Sequence, residues 1–412
     1  MGVALWSVSL FLVRFRPTSA IAVTIDNMTP RLDVHGNIVN AHDGTIRWLE
    51  GEWWVHAAAY GAGPDGTLCD DPPKYGCSPS PNRCGFLGNH NVSVYSSPNL
   101  SSGSWTYRGD ALRCADLPDC QILYRPHLVW NPTTRLYVLF YNYVTQSVAG
   151  VSRIGVATSV HPAGPWILRT TAMSNARPDL ASNHHGSMGD FDVFVDDDGT
   201  GYIVYSYGPM SIEQLTSDFL GSADVNASFP GGDFNGTVLP VAFVEAPSLW
   251  KHESGIYFLT TGHCCCFCFQ GSGMITFTAP HPLGPWKRQV GVADLGCIAN
   301  ASNPTPTMQH TLPLTAQPTP GQGCLYMGVQ SASASRAQQN FVLPIRTTSG
   351  KVEYIWTGDR WMQAPDGKKA HEPQFWGRLE FDEAGILLPL RWADTLSIDM
   401  ALPQPAFPPA AK

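Results

Sequence analysis

The chain predicts an all-β fold, a five-bladed β-propeller, on three observations: its composition, a hairpin that recurs along it, and a turn that recurs with the hairpin. Of 412 residues, 43% are apolar, enough to bury a large core, and only 14% are charged, against a usual share of about 25%. Interruption by 39 Gly and 34 Pro leaves little room for long helices and favours many short strands. One all-β domain can hold a chain of this length.

The hairpin is an apolar run, a polar turn and a second, aromatic-rich run. It reads Thr45-Ile-Arg-Trp-Leu-Glu-Gly-Glu-Trp-Trp-Val-His, then Leu128-Val-Trp-Asn-Pro-Thr-Thr-Arg-Leu-Tyr-Val-Leu-Phe-Tyr. It returns as Val193-Phe-Val-Asp-Asp-Asp-Gly-Thr-Gly-Tyr-Ile-Val-Tyr and as Leu249-Trp-Lys-His-Glu-Ser-Gly-Ile-Tyr-Phe-Leu-Thr, with a weaker fifth copy between Phe341 and Trp361. Hairpins with outer strands at such intervals match a radial arrangement of small sheets packed face to face. The turn reads Ser102-Gly-Ser-Trp105, Ala163-Gly-Pro-Trp166 and Leu283-Gly-Pro-Trp286, and its tryptophan suits a packing wedge between blades. Residues 61–120, rich in Cys, Pro and Gly, read as a disulfide-stapled loop insertion in the first-blade region, without blade strands of their own.

Residues 1–22 hold an apolar stretch followed by Thr-Ser-Ala-Ile-Ala, the pattern of a secretory signal peptide; a mis-assigned start or a signal anchor is the alternative, since Lys and Arg are missing ahead of the apolar run. The domain then runs over 23–402, with a Pro-rich tail at 403–412. No later stretch approaches the roughly 20 apolar residues of a membrane span. Sequons at Asn27, Asn91, Asn99, Asn226, Asn235 and Asn300 agree with secretion to an extracellular location and with a glycoprotein. The eleven cysteines fall in two groups, Cys69 to Cys120 and Cys264 to Cys324, and the odd total leaves a thiol unpaired within the chain. The run His263-Cys-Cys-Cys-Phe-Cys268 lacks the second ligand pair that zinc sites bring, so disulfides are expected there and no metal. A net charge of −8 excludes nucleic acid and anionic membrane surfaces as partners and suits a neutral ligand.

Polar residues stand just before the apolar runs: Asp43 at the first blade, Asp190 at the third, Glu245 at the fourth. Matching positions in successive blades lie at one end of the central channel, so these carboxyl groups converge. Carboxylates around an apolar, aromatic-lined pocket suit glycosidic cleavage, which needs a protonated acid at the leaving oxygen and a base or nucleophile across the ring. Asp196, Asp197 and Asp198 before Gly199 shape a hairpin tip instead, with calcium binding the lesser alternative. Asp190 and Asp192 occupy strand positions that disfavour Asp, although either could cap a turn. Glu245 in Phe-Val-Glu-Ala-Pro sits where burial would keep it protonated.

Val244-Glu-Ala-Pro-Ser-Leu-Trp-Lys with Gly255-Ile-Tyr-Phe-Leu-Thr-Thr-Gly, Asp190-Phe-Asp-Val-Phe-Val-Asp-Asp-Asp-Gly-Thr-Gly-Tyr and Ala41-His-Asp-Gly-Thr-Ile resemble three blade motifs of glycoside hydrolase family 43. The resemblance covers about residues 38–395 and implies an inverting reaction: Glu245 the general acid, Asp190 the residue that tunes it, Asp43 the base that activates water. Asn40-Ala-His, Glu245-Ala-Pro, Gln338-Gln-Asn-Phe-Val-Leu-Pro and Gly358-Asp-Arg-Trp361 are most similar to the exo-β-1,3-galactanase subgroup. That subgroup has Gly where Asp43 stands and is thought to use a Gln in the motif matched by Gln338. A carboxylate accepts a proton more readily than an amide, so Asp43 is preferred as base and Gln338 as the group that positions water.

Two departures bear on substrate. Tyr124-Arg-Pro stands where the subgroup has Glu-Arg-Pro, and Cys264-Cys-Cys-Phe-Cys-Phe replaces Cys-Thr-Gly-Trp. His42, Tyr124, Arg125 and His263 are the expected substrate contacts, with a scaffold role as the alternative for His42, Arg125 and His263. The expected activity is hydrolysis of galactosyl or other neutral glycosyl linkages in a polysaccharide or glycoprotein glycan, by a monomer without a cofactor. The resemblance leaves open a structural calcium, or a sodium ion, in the channel. A sugar-binding propeller without turnover is the rival; an arabinofuranosidase or xylosidase of the same family is a further alternative.

Overall fold

The computed structural model describes residues 20–61, 90–145, 152–174, 188–206, 210–227, 244–263, 274–289, 335–361, 363–388 and 390–402. Apart from short 3-10 turns, the regular structure in them is strand. Strand β1 (Ala20–Asp26) leads into the first blade, β2 (His42–Leu49), β3 (Glu52–Ala59), β4 (Asn91–Ser97) and β5 (Thr106–Arg113). The second holds β6 (Cys120–Asn131), β7 (Leu136–Thr145), β8 (Ser152–Ser159) and β9 (Ile167–Thr170). The third holds β10 (Phe191–Val195), β11 (Gly201–Tyr205), β12 (Ser211–Leu215) and β13 (Ser222–Asn226). The fourth holds β14 (Val244–Lys251), β15 (Tyr257–His263), β16 (Ile275–Ala279) and β17 (Lys287–Arg288). The last holds β18 (Gln338–Arg346), β19 (Val352–Asp359) and β20 (Gln374–Leu379), before β21 (Thr395–Ala401).

Each blade is an antiparallel meander in sequence order, four strands in the first four and three in the last. The first strands of the blades contact one another in a closed circuit, β2 to β6 to β10 to β14 to β18 and back to β2, so they line the axis. The circuit makes this a five-bladed propeller. Strands β1 and β21 pair antiparallel from Ala20 opposite Ala401 to Asp26 opposite Thr395, tying the two ends of the domain together.

The sequence shows why the blades stack. Successive side chains on a strand face opposite ways, so in a blade packed on both sides both faces must be apolar. Trp53 joins the core between the first and last blades and Trp54 the core between the first and second; Ile355 and Trp356, Leu249 and Trp250, and Leu128 and Val129 divide in the same way. Five separate apolar clusters result, one at each seam. The β1–β21 ribbon adds Val23, Ile25, Ile398 and Met400 to the seam where the ring closes. The recurring-turn tryptophans sit at seams as expected, with Trp105 and Trp286 fully buried and Trp166 half-buried against the seam of the first two blades.

One expectation is corrected. Residues 61–120 do contain blade strands, because β4 and β5 complete the first sheet. Asn91-Val-Ser-Val-Tyr-Ser-Ser carries branched and aromatic residues suited to a pleated surface, a signal masked by the cysteines and prolines around it. Cys69, Cys77 and Cys84 lie outside the described residues, as do Cys264 to Cys268, Cys297 and Cys324. Cys114 and Cys120 form a disulfide that joins the end of the first blade to the start of β6. The Asp196 to Gly199 tip is a turn, and the cation that answers it is Lys251, whose Nζ lies 3.0 Å from Asp196 and 2.8 Å from Asp197. Among the described residues no helix is long and apolar enough to cross a membrane, and no group of three His, Cys, Asp or Glu side chains is placed to hold a metal.

Candidate active site

The innermost strands of three blades share one irregularity near their starts. In β2 the pairs His42 with Ala58 and Thr45 with His56 leave two residues opposite one. Tyr124 and His127 bracket the same bulge in β6, and Glu245 and Ser248 in β14. The first bulged residue takes a left-handed conformation each time, at φ 41° for Asp43, 49° for Arg125 and 53° for Ala246. The second is Gly44, Pro126 or Pro247. Gly44 has no room for anything larger, since a Cβ there would fall 2.0 Å from the carbonyl oxygen of His56. Pro suits a bulge because no ladder hydrogen bond is asked of its nitrogen.

These bulges turn the main chain and bring the predicted residues to one end of the ring. Asp43 sits one place further along its strand than Glu245, which corresponds to His42 and Tyr124. Asp190 stands directly before β10.

Arg125 lies at the centre. It is 2% exposed, and its guanidinium grips the Asp190 carboxylate through Nε at 3.0 Å and Nη2 at 3.1 Å. Its Nη1 donates to the carbonyl of Gln339 at 2.8 Å. Burial lowers its affinity for a proton, but Asp190 and Asp43 more than restore it. Arg125 thus holds Asp190 and the last blade, the scaffold role that the sequence offered beside a sugar contact. His42 is likewise buried, with Nδ1 3.4 Å from Asp359 and Nε2 3.3 Å from the carbonyl of Ala370. Burial, followed by Lys369, depresses its pKa and favours the neutral ring.

Gln338 links the two carboxylates of interest. Its Nε2 lies 3.3 Å from Asp190 Oδ2 and 3.3 Å from Glu245 Oε2, while its Oε1 accepts from the indole of Trp361 at 2.8 Å. Asp190 Oδ2 also accepts the main-chain N–H of Ala246 at 3.0 Å, which fixes the bulge beside Glu245. Asp190 has 23% of its side chain exposed and Glu245 is half-buried, whereas Gln338 is 3% exposed.

Asp43 lies deeper, at 4% exposed. Its Oδ2 accepts the Arg125 N–H at 3.0 Å, and its Oδ1 has no hydrogen-bond partner among the described residues. Burial, then the neighbouring Asp359 carboxylate, raises its pKa from 3.8 to about 7. Within electrostatic reach of it stands Tyr60, which gathers His90, Tyr124 and Trp361 about its own ring. The Tyr60 ring centre is 4.6 Å from His90, 6.2 Å from Tyr124 and 6.2 Å from Trp361. The His263 side chain lies outside what the structure describes; its main chain pairs with Val244 in β15.

Sequence reasoning gave no role to Asp359, Lys369, Tyr60 or His90. Gly358-Asp-Arg-Trp361 was a visible motif, and Gly358 carried the signal of tight approach: a Cβ there would lie 2.4 Å from the Gln338 carbonyl. Asp192 belongs elsewhere. It is 3% exposed and bonds His127 of the second blade and Ser248 and Leu249 of the fourth, joining three blades below the site.

Known proteins share this fold. An arabinoxylan arabinofuranohydrolase from Paenibacillus polymyxa is 30% identical over 147 residues, 35% of this chain and 21% of that protein, so the chain spans about a fifth of this curated relative. An exo-β-1,3-galactanase from Clostridium thermocellum superposes with a TM-score of 0.64 at 22% identity, covering 92% of this chain and 67% of that one. A β-1,3-galactosidase solved with galactodeoxynojirimycin gives 0.61 at 20% identity over 90% and 99% of the two chains. An exo-β-1,3-galactanase from Phanerochaete chrysosporium, solved with galactose, gives 0.59 at 21% identity over 92% and 69%. At such identities the likeness is one of fold. The sequence itself matches the family profile of glycosyl hydrolases over residues 81–297, more than half its length, and the chain belongs to glycosyl hydrolases family 43.

Proposed function

We propose that the protein is an extracellular, inverting exo-acting glycosidase that removes terminal galactosyl residues from a polysaccharide or glycoprotein glycan, with Glu245 as general acid and Asp43 as general base. The observation that carries this reading is the Gln338 amide. One side-chain nitrogen holds both the Glu245 carboxyl and Asp190, and Asp190 is itself fixed by Arg125. Glu245, held at Oε2 by that amide, is the group that carries the proton to the glycosidic oxygen. As the bond from the anomeric carbon to that oxygen breaks, Glu245 gives up its proton and the aglycone leaves as an alcohol. Water attacks the opposite face of the sugar and Asp43 takes its proton, so the anomeric configuration inverts.

The choice of Asp43 over Gln338 as base rests on their partners. The Gln338 oxygen is the acceptor for Trp361 and its nitrogen the donor to two carboxylates, which fixes the amide form. Asp43 Oδ1 is buried with no hydrogen-bond partner among the described residues, and a carboxyl raised to about 7 accepts a proton well near neutral pH. Extracellular action is supported by the sequons and by the Cys114–Cys120 bridge, which suits an oxidising compartment. Galactose is favoured by the galactanases among the fold relatives. The arabinofuranohydrolase likeness favours arabinofuranosyl as the second substrate to try.

The test is Glu245→Gln, assayed on β-1,3-galactan and on aryl β-galactosides of graded leaving-group acidity, with the product anomer followed by NMR. General-acid catalysis is worth about 100- to 10,000-fold. A loss of that size is expected on galactan and a much smaller one on the most acidic phenol, which departs without a proton. Wild-type cleavage of galactan by the variant refutes Glu245 as acid. A first-formed β-galactose from a β-linked substrate refutes inversion.

A further inference from the structure

Beside Asp43 the fold buries a second carboxylate and an ammonium group that the proposed reaction does not use. Asp359, at the end of β19, is 1% exposed, and Lys369, in the 3-10 turn Lys369–His371, is 3% exposed. Asp359 Oδ2 accepts the Asp43 N–H at 2.6 Å, and Oδ1 accepts from Gln374 at 2.9 Å. Lys369 Nζ sits 2.7 Å from Glu372 Oε2, 3.7 Å from the ring centre of Trp361 and 4.7 Å from that of Tyr60. A buried cation placed so tightly beside the Trp361 and Tyr60 rings costs desolvation, and its charge reaches Asp359, Asp43 and His42.

We propose that Asp359 and Lys369 are a buried positioning pair for the base: Asp359 holds the Asp43 main chain in its left-handed turn and repels its carboxylate, and Lys369 supplies the opposing positive charge. This rests on the reading of Asp43 as the base. The geometry makes the two carboxyl groups unequal. Asp359 has an N–H donor, Gln374, His42 and Lys369 around it. The Asp43 carboxyl has one N–H donor, on Oδ2. Burial acts on both, but around Asp359 it is outweighed by Lys369 and then His42, which hold that group ionised. Asp43 is left as the carboxyl that exchanges a proton near neutral pH. The titratable groups facing it are Arg125 from β6, Tyr60 after β3 and Lys369, with Asp359 and the neighbouring His42.

The pair makes opposite predictions for two variants, read as the acid limb of the kcat/KM pH profile, which reports the base in the free enzyme. Asp359→Asn keeps an acceptor for the Asp43 N–H but removes the like charge, so the limb moves to lower pH by about one unit or more. Lys369→Met removes the cation, so the limb moves to higher pH. A purely structural role changes the rate or the stability and leaves the limb in place. Limbs that stay put, or that move the same way in both variants, overturn the proposal. If Lys369→Met fails to fold, Asp359→Asn decides alone. Asp43→Asn is assayed alongside: wild-type activity there removes Asp43 as base, whereas an inactive Asp43→Asn with an unmoved Asp359→Asn limb rejects only the pair.

Discussion

Asp190 and Asp192 are two residues apart on one strand edge, and the structure gives them opposite duties that a single experiment separates. Asp192 is 3% exposed and spends both carboxylate oxygens on the scaffold. Oδ1 is 2.8 Å from His127 Nδ1 and 2.7 Å from the Val193 N–H; Oδ2 accepts from Ser248 Oγ and the Leu249 N–H, both at 2.9 Å. Burial pushes the His127 pKa down and favours a neutral ring, so the carboxylate is held by hydrogen bonds more than by an opposite charge. Asp192→Ala removes four such contacts and leaves the donors buried. Hydrogen bonds to a charged group are worth about 1.5 to 3 kcal/mol each, offset by the cost of burying the charge. A net loss of roughly 3 to 5 kcal/mol is expected, a large part of a total stability of about 5 to 15 kcal/mol. Urea unfolding followed by tryptophan fluorescence measures it. Asp190→Asn is the comparison. It keeps an acceptor for Arg125 and for the Ala246 N–H, so its midpoint stays near wild type while galactan cleavage falls at least 10-fold. A loss below about 1 kcal/mol for Asp192→Ala, or unimpaired cleavage by Asp190→Asn, refutes this division of labour.

Two further outcomes follow from buried groups. Asn27 is fully buried, its Nδ2 donating to the carbonyls of Trp376 and Ala393 and its Oδ1 accepting the Trp376 N–H. Although it heads a sequon, no room is left for a glycan in the folded chain, so glycopeptide mapping of protein from a eukaryotic host finds Asn27 bare; occupancy there refutes the packing. Asp43 contributes to the pH dependence of stability. Its pKa rises on folding from 3.8 to about 7, so its contribution to stability is complete below pH 3.8 and is lost as pH climbs through 7. At 1.36 kcal/mol per pH unit that gap is worth up to roughly 4 kcal/mol, and Asp43→Asn is expected to melt higher than wild type at pH 8 with little difference at pH 4. A difference that does not vary with pH rejects a carboxyl pKa raised by burial.

The propeller is legible because its strands break the usual alternation. Trp53-Trp54, Leu249-Trp250 and Ile355-Trp356 place large apolar residues on adjacent positions, which makes sense only if both faces of a sheet are covered. Asp43, Asp190 and Glu245 stand out in the sequence because each places a charge just before the first apolar run of a blade. Asp359 and Lys369 do not, since nothing local marks them: one ends a strand in the last blade and the other sits in a short turn. Only closure of the ring brings them under a residue more than 300 positions earlier. Arg125 was visible with two roles open, because sequence shows the cation and not the partners its guanidinium finds.

The bulges explain why the candidate site residues gather at this end of the ring. A left-handed turn at a non-glycine residue costs about 1 to 2 kcal/mol, and the fold accepts it at Asp43, Arg125 and Ala246. What the distortion achieves is a change of direction. An undistorted inner strand would send alternate side chains to the two neighbouring seams, as Leu128 and Val129 do, and leave the axis lined by main chain. Opposing two residues to one frees the amides of Arg125 and Ala246, and these donate to Asp43 and Asp190 in neighbouring blades. The second and fourth blades thereby each orient a carboxylate belonging to a neighbour. Replacing Gly44 in one bulge would move Asp43 relative to an amide in the second blade, and through Arg125 would disturb Asp190 in the third, so the site is set by the angle between blades rather than by any one of them.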